Sequence, residues 1–336
     1  MAIVHYLSRS LVALLFLCAL PGRAFAQVPD FSALYVFGDS LVDSGNVFLL
    51  TKAMGMEPAI PPSESPNQTY FGGRFSNGPV AVEYLWERLS GNAPGSPRGM
   101  KAFLSMPFKV APGGLNFAYG GTGTPFLDQT PGGFWAPGLK GQITLFGLAL
   151  RGKKPPHALY VIATGPNDYR NDPFNTPMDP EAVVDNIIES IVGLYRLGAR
   201  DVMVLDMPDL GLIPANGQDP GPPTQLTLVH NQILTRELGK LQTKYPALHL
   251  MPVRLEPIFL SLIGRLESRV PALAALGPEG SFACLFVDPA LCQDVPSFLF
   301  KNVGLGFLFW DIVHPTTEAH KDLGDYLYEQ LAASYR

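Results

Sequence analysis

The sequence predicts an α/β fold built on a central, mostly parallel five-stranded sheet. Three observations carry that expectation. Short apolar runs recur with almost no polar alternation, each run stops at a turn rich in Gly, Asp, Asn or Pro, and stretches of helical spacing lie between the runs. Strands that are apolar on both sides need a helical layer on each face, and alternation of strand with helix makes such a sheet parallel.

The first strand is Ala33–Phe37, ending in Gly38-Asp39-Ser40. Leu115–Tyr119 ends in Gly120-Gly121, Ala158–Ala163 in Thr164-Gly165, and Asp201–Leu205 in Asp206-Met207-Pro208. Leu248–Val253 is a weaker fifth. Helical spacing runs over Pro79–Leu89, where Val82, Leu85, Trp86 and Leu89 share a face. It returns over Pro180–Leu197, Thr224–Tyr245 and Gly324–Leu331. No stretch has the composition of a domain linker, so residues 27–336 read as one domain. Ligands of such sheets sit at the carboxyl ends of the strands, and those ends here carry Ser40, Gly121 and Asn167.

Composition narrows the function. With 47% hydrophobic and 16% charged residues, the chain is too apolar to stay disordered. A net charge of -5 and the lack of any long Lys/Arg run argue against nucleic acid as a partner. Residues 1–26 read as a signal peptide, with Arg9 before an apolar stretch, Pro21-Gly22 breaking it, and Ala24-Phe25-Ala26 as the cleavage signal. The apolar stretch Leu11–Leu20 falls short of the ~20 residues that a membrane span requires. The mature chain is therefore expected to be secreted or periplasmic. It keeps Cys284 and Cys292, which an oxidising compartment would pair as a disulfide, with two buried thiols as the alternative.

Four blocks hold residue types suited to acyl chemistry. In Phe37-Gly38-Asp39-Ser40-Leu41 a Ser hydroxyl follows a strand directly, and such a hydroxyl attacks only when a base removes its proton. Trp310-Asp311-Ile312-Val313-His314-Pro315 offers that base, with Asp311 placed to orient the imidazole. Pro315 biases His314 toward extended backbone, and Thr316 is then the cap of the last helix. The Asn167 amide and a backbone N–H of the Gly120-Gly121 turn can both donate to an oxyanion. Each block alone has a plainer reading as a turn, a cap or a surface histidine beside a carboxylate.

Together and in this order, the blocks resemble the GDSL lipase/esterase family, also called SGNH hydrolases. Ser40–Asn46, Tyr70–Pro79, Leu197–Arg200 and Pro208–Gly211 are similar to the same family, so the resemblance covers residues 31–328. It implies a flavodoxin-like three-layer sandwich with Ser40 as nucleophile, His314 as general base and Asp311 as its orienting carboxylate. It also implies an oxyanion hole made by the Ser40 N–H, the Gly121 N–H and the Asn167 side chain, with Gly120 as the alternative to Gly121. No cofactor and no metal are implied, and His157, His230, His249 and His320 lack ligand spacing and read as structural. The Gly-x-Ser-x-Gly elbow of another hydrolase class is absent, because Val42 stands where its second Gly would be.

Apolar residues near these blocks bear on the substrate. Phe298-Leu299-Phe300, Leu305 and Phe307–Trp310 lead into the His314 loop, and Phe126, Phe134 and Trp135 follow Gly121. As walls of an acyl pocket they fit lipid or lysophospholipid esters and transient contact with lipid surfaces; as ordinary core they say nothing. A carbohydrate O-acetyl esterase, an acyltransferase and a catalytically silent binding protein are the competing readings. No obligate protein partner is evident.

Overall fold

The computed structural model describes residues 28–269 and 308–336. The signal-peptide segment, Cys284, Cys292, Phe298–Phe300, Leu305 and Phe307 lie outside those residues. In chain order the elements are β1 (Ala33–Gly38), α1 (Asn46–Ala53), α2 (Ala81–Ser90), β2 (Lys101–Ala102), β3 (Gly113–Asn116), β4 (Leu127–Gln129) and β5 (Trp135–Pro137). There follow α3 (Leu139–Leu150), β6 (Ala158–Ala163), α4 (Pro180–Leu197), β7 (Asp201–Leu205), α5 (Gly221–Lys244), β8 (His249–Val253), α6 (Glu256–Arg269) and α7 (Thr317–Ser334). Among the described residues no helix is long and apolar enough to cross a membrane.

Six strands form one parallel sheet in the order β2-β3-β1-β6-β7-β8, and β4 pairs with β5 in a separate antiparallel hairpin. Five of the six are the predicted ones. The sixth, β2, is a two-residue edge strand, too short to show any periodicity. Beyond β3 the chain keeps donating to β1, from Phe117 N to Val36 O and from Tyr119 N to Gly38 O, so the predicted run continues past the strand's formal end.

The two faces of the sheet explain its apolar strands. Leu34 and Val36 pack into one core with residues of α2, α6 and α7, while Tyr35 and Phe37 pack into another with residues of α3, α4 and α5. This is the three-layer sandwich that the sequence predicts. Two helices begin on side-chain caps, of which Thr316 is the one the sequence predicts. Asp179 accepts from Glu181 N ahead of α4, and Thr316 accepts from Ala319 N at the start of α7.

The chain reverses direction across the sheet at β1, which lies between β3 and β6. That switch point opens a crevice at the carboxyl ends of the strands. The pairs Val36↔Asn116 and Gly38↔Ala163 set the three strands level, so the loops that follow them meet at one edge. Gly38 makes the tightest approach. Its φ is +154°, and a Cβ there would stand 2.0 Å from Ala163 O. The Gln142 side chain from α3 grips it twice, accepting from Gly38 N at 2.8 Å and donating to Gly38 O at 2.9 Å. Gly38→Ala is expected to destabilise the fold by about 2–4 kcal/mol, read from denaturant unfolding. An unchanged midpoint would show that the ladder tolerates a side chain there.

Candidate active site

Ser40 stands two residues past β1, and its turn is fixed from within. Asp39 Oδ1 accepts from Leu41 N at 3.0 Å, and Val42 N and Asp43 N both return to Asp39 O. The Asp43 carboxylate is the hub of the next turn. Its Oδ1 accepts from Gly45 N and Asn46 N, and its Oδ2 accepts from Val47 N and from Gly120 N at 3.0 Å. One buried acid thus starts α1 and ties the segment after Ser40 to the glycine turn after β3. Asn46 and Asn116 lace the same two segments: Asn46 Nδ2 donates to Asn116 O and Ala118 O, and Asn116 Nδ2 donates to Val42 O.

The His314 loop is closed by an antiparallel bridge between Phe309 and Pro315, with Trp310 N donating to His314 O at 2.7 Å. Asp311 Oδ1 accepts from Val313 N and His314 N, and its Oδ2 lies 2.7 Å from His314 Nδ1. His314 Nε2 lies 2.9 Å from Ser40 Oγ, across 274 residues of sequence. Burial pushes the Asp311 carboxyl up, but the charge of His314 and the hydrogen bonds from His314, Tyr70 and Val313 N outweigh it, and it settles below its ordinary value. The structure therefore sets Ser40, His314 and Asp311 in a single hydrogen-bonded line.

Ser40, Gly120, Gly121 and Asn167 line one cavity. Gly120 N is taken by Asp43, whereas Ser40 N and Gly121 N have no intramolecular acceptor among the described residues. The Asn167 side chain donates to Thr122 O at 3.2 Å through one of its two N–H bonds, which orients the amide and leaves the other without an acceptor among the described residues. The Asn167 carbonyl is held by Arg170 N, Arg170 Nε and Asn175 Nδ2. Beneath it, Asp168 accepts from Thr124 N and Thr124 Oγ1, which fixes the loop behind Gly121.

These groups open onto one cavity of about 790 Å³ with chiefly apolar walls, among them Ile60, Phe75, Phe134, Leu210, Ile213 and Phe309. Of the residues that the sequence suggested for such a pocket, Phe134 and Phe309 line it. Leu308 and Trp310 are buried core, and Phe126 and Trp135 are exposed to solvent at 55% and 60%. The hairpin explains the split: successive residues point to opposite sides, so Phe134 turned inward leaves Trp135 outward.

The segment Tyr70–Asn77 is a second contributor that motif reading gave no role. Tyr70 Oη donates to Asp311 Oδ2 at 2.7 Å, and the Phe75 ring lies 5.1 Å from the His314 ring. Phe75 also presses on Gly120, where a Cβ would come within 2.1 Å of it. Ser76 Oγ donates to Pro315 O, and Asn77 Oδ1 accepts from Thr317 N. A buried ion pair, Arg74 with Glu83 at 2.7 Å, anchors this segment to α2.

With this geometry in place, the sequence model of the GDSL-like lipase/acylhydrolase family matches residues 34–327. The chain belongs to that family. Like the family, it is a hydrolase acting on ester bonds. It is 26% identical to the phosphatidylcholine-sterol acyltransferase of Aeromonas hydrophila over 94% of this chain and 94% of that protein. It is 28% identical to a GDSL esterase/lipase of Arabidopsis thaliana, over 90% of this chain and 87% of the relative. Among solved structures it is similar to an acetyl xylan esterase from Geobacillus stearothermophilus, with 14% identity, 90% and 96% of the two chains covered, and a TM-score of 0.44.

Asp39 gives this GDSL site a pH signature. Burial pushes its carboxyl from the ordinary value up to about 7, although the Leu41 N–H and the charge of His314 pull the other way. Its Oδ2 has no partner among the described residues, as suits a neutral acid. A raised carboxyl pKa stabilises the fold fully below its unfolded value, and that contribution is lost as pH rises toward the folded value. Wild-type unfolding free energy is therefore expected to fall between pH 4 and 7 with an Asp39 contribution of up to about 1.4 kcal/mol per pH unit. Asp39→Asn should remove that slope, and parallel stability profiles for the two proteins would contradict the assignment.

Proposed function

We propose that this protein is a serine acylhydrolase in which Ser40 is the nucleophile, His314 the general base and Asp311 the carboxylate that orients it. The observation carrying the reading is the line Ser40 Oγ–His314 Nε2, 2.9 Å, and His314 Nδ1–Asp311 Oδ2, 2.7 Å. Ser40 Oγ attacks the ester carbonyl carbon as its proton passes to His314 Nε2, and the carbonyl electron pair moves onto oxygen. Asp311 stabilises the imidazolium that results. The oxyanion accepts from Ser40 N–H, Gly121 N–H and the free Asn167 Nδ2–H; the engagement of Gly120 N–H by Asp43 favours Gly121 over Gly120. Collapse breaks the bond to the alcohol, which leaves with the proton held by His314. Water then gives a proton to His314, attacks the acyl-Ser40 ester, and releases the acid and the free hydroxyl.

The substrate class we assign is lipid esters, glycerophospholipids and lysophospholipids included. A cavity of about 790 Å³ walled mainly by hydrocarbon and aromatic side chains fits a long acyl chain, and an acetyl group would leave most of it unfilled. The Aeromonas relative, by its name, transfers acyl groups from phosphatidylcholine to a sterol, which favours an alcohol acceptor as a second fate of the acyl-enzyme here. In the same reading residues 1–26 are a cleaved leader, the enzyme works outside the cytoplasm, and Cys284 pairs with Cys292.

An organophosphonate probe is expected to label the wild-type protein and not Ser40→Ala, and His314→Ala is expected to abolish turnover. Wild-type-like hydrolysis by either variant would overturn the assignment. Asn167→Ala should lose about 10²–10³ in kcat with little change in KM. Across esters of increasing chain length kcat/KM should rise, and a preference for acetylated sugars would defeat the lipid assignment. Adding an alcohol should divert acyl product from acid to ester if transfer competes with hydrolysis.

A further inference from the structure

We propose that Tyr70 is a positioning residue of this site, acting through Asp311 on the His314 imidazole. The inference rests on the proposed roles of Ser40, His314 and Asp311 and adds a member supplied by a distant loop.

Asp311 has two carboxylate oxygens and four donors. Oδ1 takes Val313 N and His314 N, both from its own loop. Oδ2 is shared by His314 Nδ1 and Tyr70 Oη, each at 2.7 Å. Tyr70 is therefore the one described side chain outside the loop that reaches this carboxylate, and it does so across 241 residues. Its backbone is fixed where it stands, since Tyr70 N donates to Pro62 O at 2.8 Å. Its ring meets Phe75 edge-on at 6.3 Å, and Phe75 lies against the His314 ring. The hydroxyl is thus delivered to Oδ2 by a braced side chain.

The bond has two consequences. It fixes the rotation of the carboxylate, so that the Oδ2 lone pairs are divided between Tyr70 and His314 in one geometry. It also withdraws part of the carboxylate's negative charge from the imidazole, because a donor to an anion competes with every other donor to it. The groups facing His314 are Asp311 in its own loop, Asp39 in the Ser40 turn, His320 on α7, and Tyr70 through Asp311. Tyr70→Phe alters only the last of these. Loss of the hydroxyl leaves the carboxylate free to favour the protonated imidazole more strongly, so the proton is removed at higher pH.

The test compares wild type, Tyr70→Phe and Ser76→Ala. Ser76→Ala removes a neutral hydrogen bond, Ser76 Oγ to Pro315 O, by which the same segment touches the same loop. Tyr70→Phe is expected to lower kcat about tenfold while KM stays within about twofold, the scale of one hydrogen bond to a charged group. It should also move the acid limb of kcat/KM upward by about 0.5 pH unit. Ser76→Ala is expected to leave the acid limb in place. The titration of His314 followed by NMR should show the same upward displacement in Tyr70→Phe, independent of any turnover. An acid limb and an NMR titration both unmoved in Tyr70→Phe would overturn the proposal, as would an equal displacement in Ser76→Ala. Hydrolysis retained by Ser40→Ala would instead overturn the catalytic assignment, while the NMR comparison would still decide whether Tyr70 acts on His314.

Discussion

The crevice depends on one buried carboxylate. Asp43 accepts four backbone N–H groups, from Gly45, Asn46, Val47 and Gly120. An ionised carboxylate is acceptor-only, so it can satisfy four donors where a backbone carbonyl could not. The arrangement has a cost, because burial opposes the charge strongly enough to push Asp43 up to about 6 even against those hydrogen bonds. Hydrogen bonds to charged groups contribute about 1.5–3 kcal/mol each, which is the scale of the desolvation penalty they offset. The net gain is therefore small, and what the acid secures is geometry: Ser40 and Gly121 each keep an unshared N–H, because their neighbours' donors are turned to Asp43 and Asp39.

The same economy recurs around the crevice. Asp39 and Asp168 are also buried, and both are pushed up, to about 7 and about 6. Three acids therefore surround a site whose proposed chemistry develops negative charge, an arrangement that would oppose an oxyanion if all were fully ionised. Burial reduces that conflict. It keeps Asp39 partly neutral near pH 7, and the charge left on Asp43 and Asp168 is spent on backbone donors directed at those acids. Asp311 is the exception. It is held below its ordinary value by His314, Tyr70 and its own loop N–H groups, so the one carboxylate in contact with the imidazole is also the one kept charged.

Much of this was legible in the sequence, for identifiable reasons. β1, β6 and β7 were, since they are buried on both faces and therefore apolar almost throughout. Ser40, Gly121, Asn167, Asp311 and His314 stood out because each sits in a short contiguous block at the end of a strand or before a helix, and the structure gathers those blocks at one crevice. α1 and α3 escaped because neither shows an apolar stripe at helical spacing. α1 buries Asn46, Val47 and Thr51, two of them polar, and α3 carries two glycines and buries residues on several sides. The roles of Gln142 and Tyr70 could not be read: each acts on a residue more than a hundred positions away, through a side-chain contact that no spacing encodes. The sequence leaves Trp135 open between pocket wall and ordinary packing, and that its neighbour faces the cavity while it does not is visible only once β4 and β5 are known to pair.

Tyr70–Asn77 shows why so long an intervening chain is needed. A hydroxyl and an imidazole from opposite ends of the sequence must stay within proton-transfer reach, and among the described residues the His314 loop is followed by α7 and receives one backbone hydrogen bond from Ala215 N to Ile312 O. Asp311 orders that loop internally but cannot fix it against the Ser40 turn. The Tyr70–Asn77 segment does so from outside, touching Asp311, the His314 ring, Pro315 and Thr317 on one side and Gly120 on the other. Its own anchor is the Arg74–Glu83 pair, whose Glu83 side chain is fully buried. Breaking such a pair leaves an unpaired buried charge, so the penalty for releasing the brace is larger than any single contact it makes. Rigidity at the site is thus generated in α2 and transmitted through one segment to both halves of the proposed proton path.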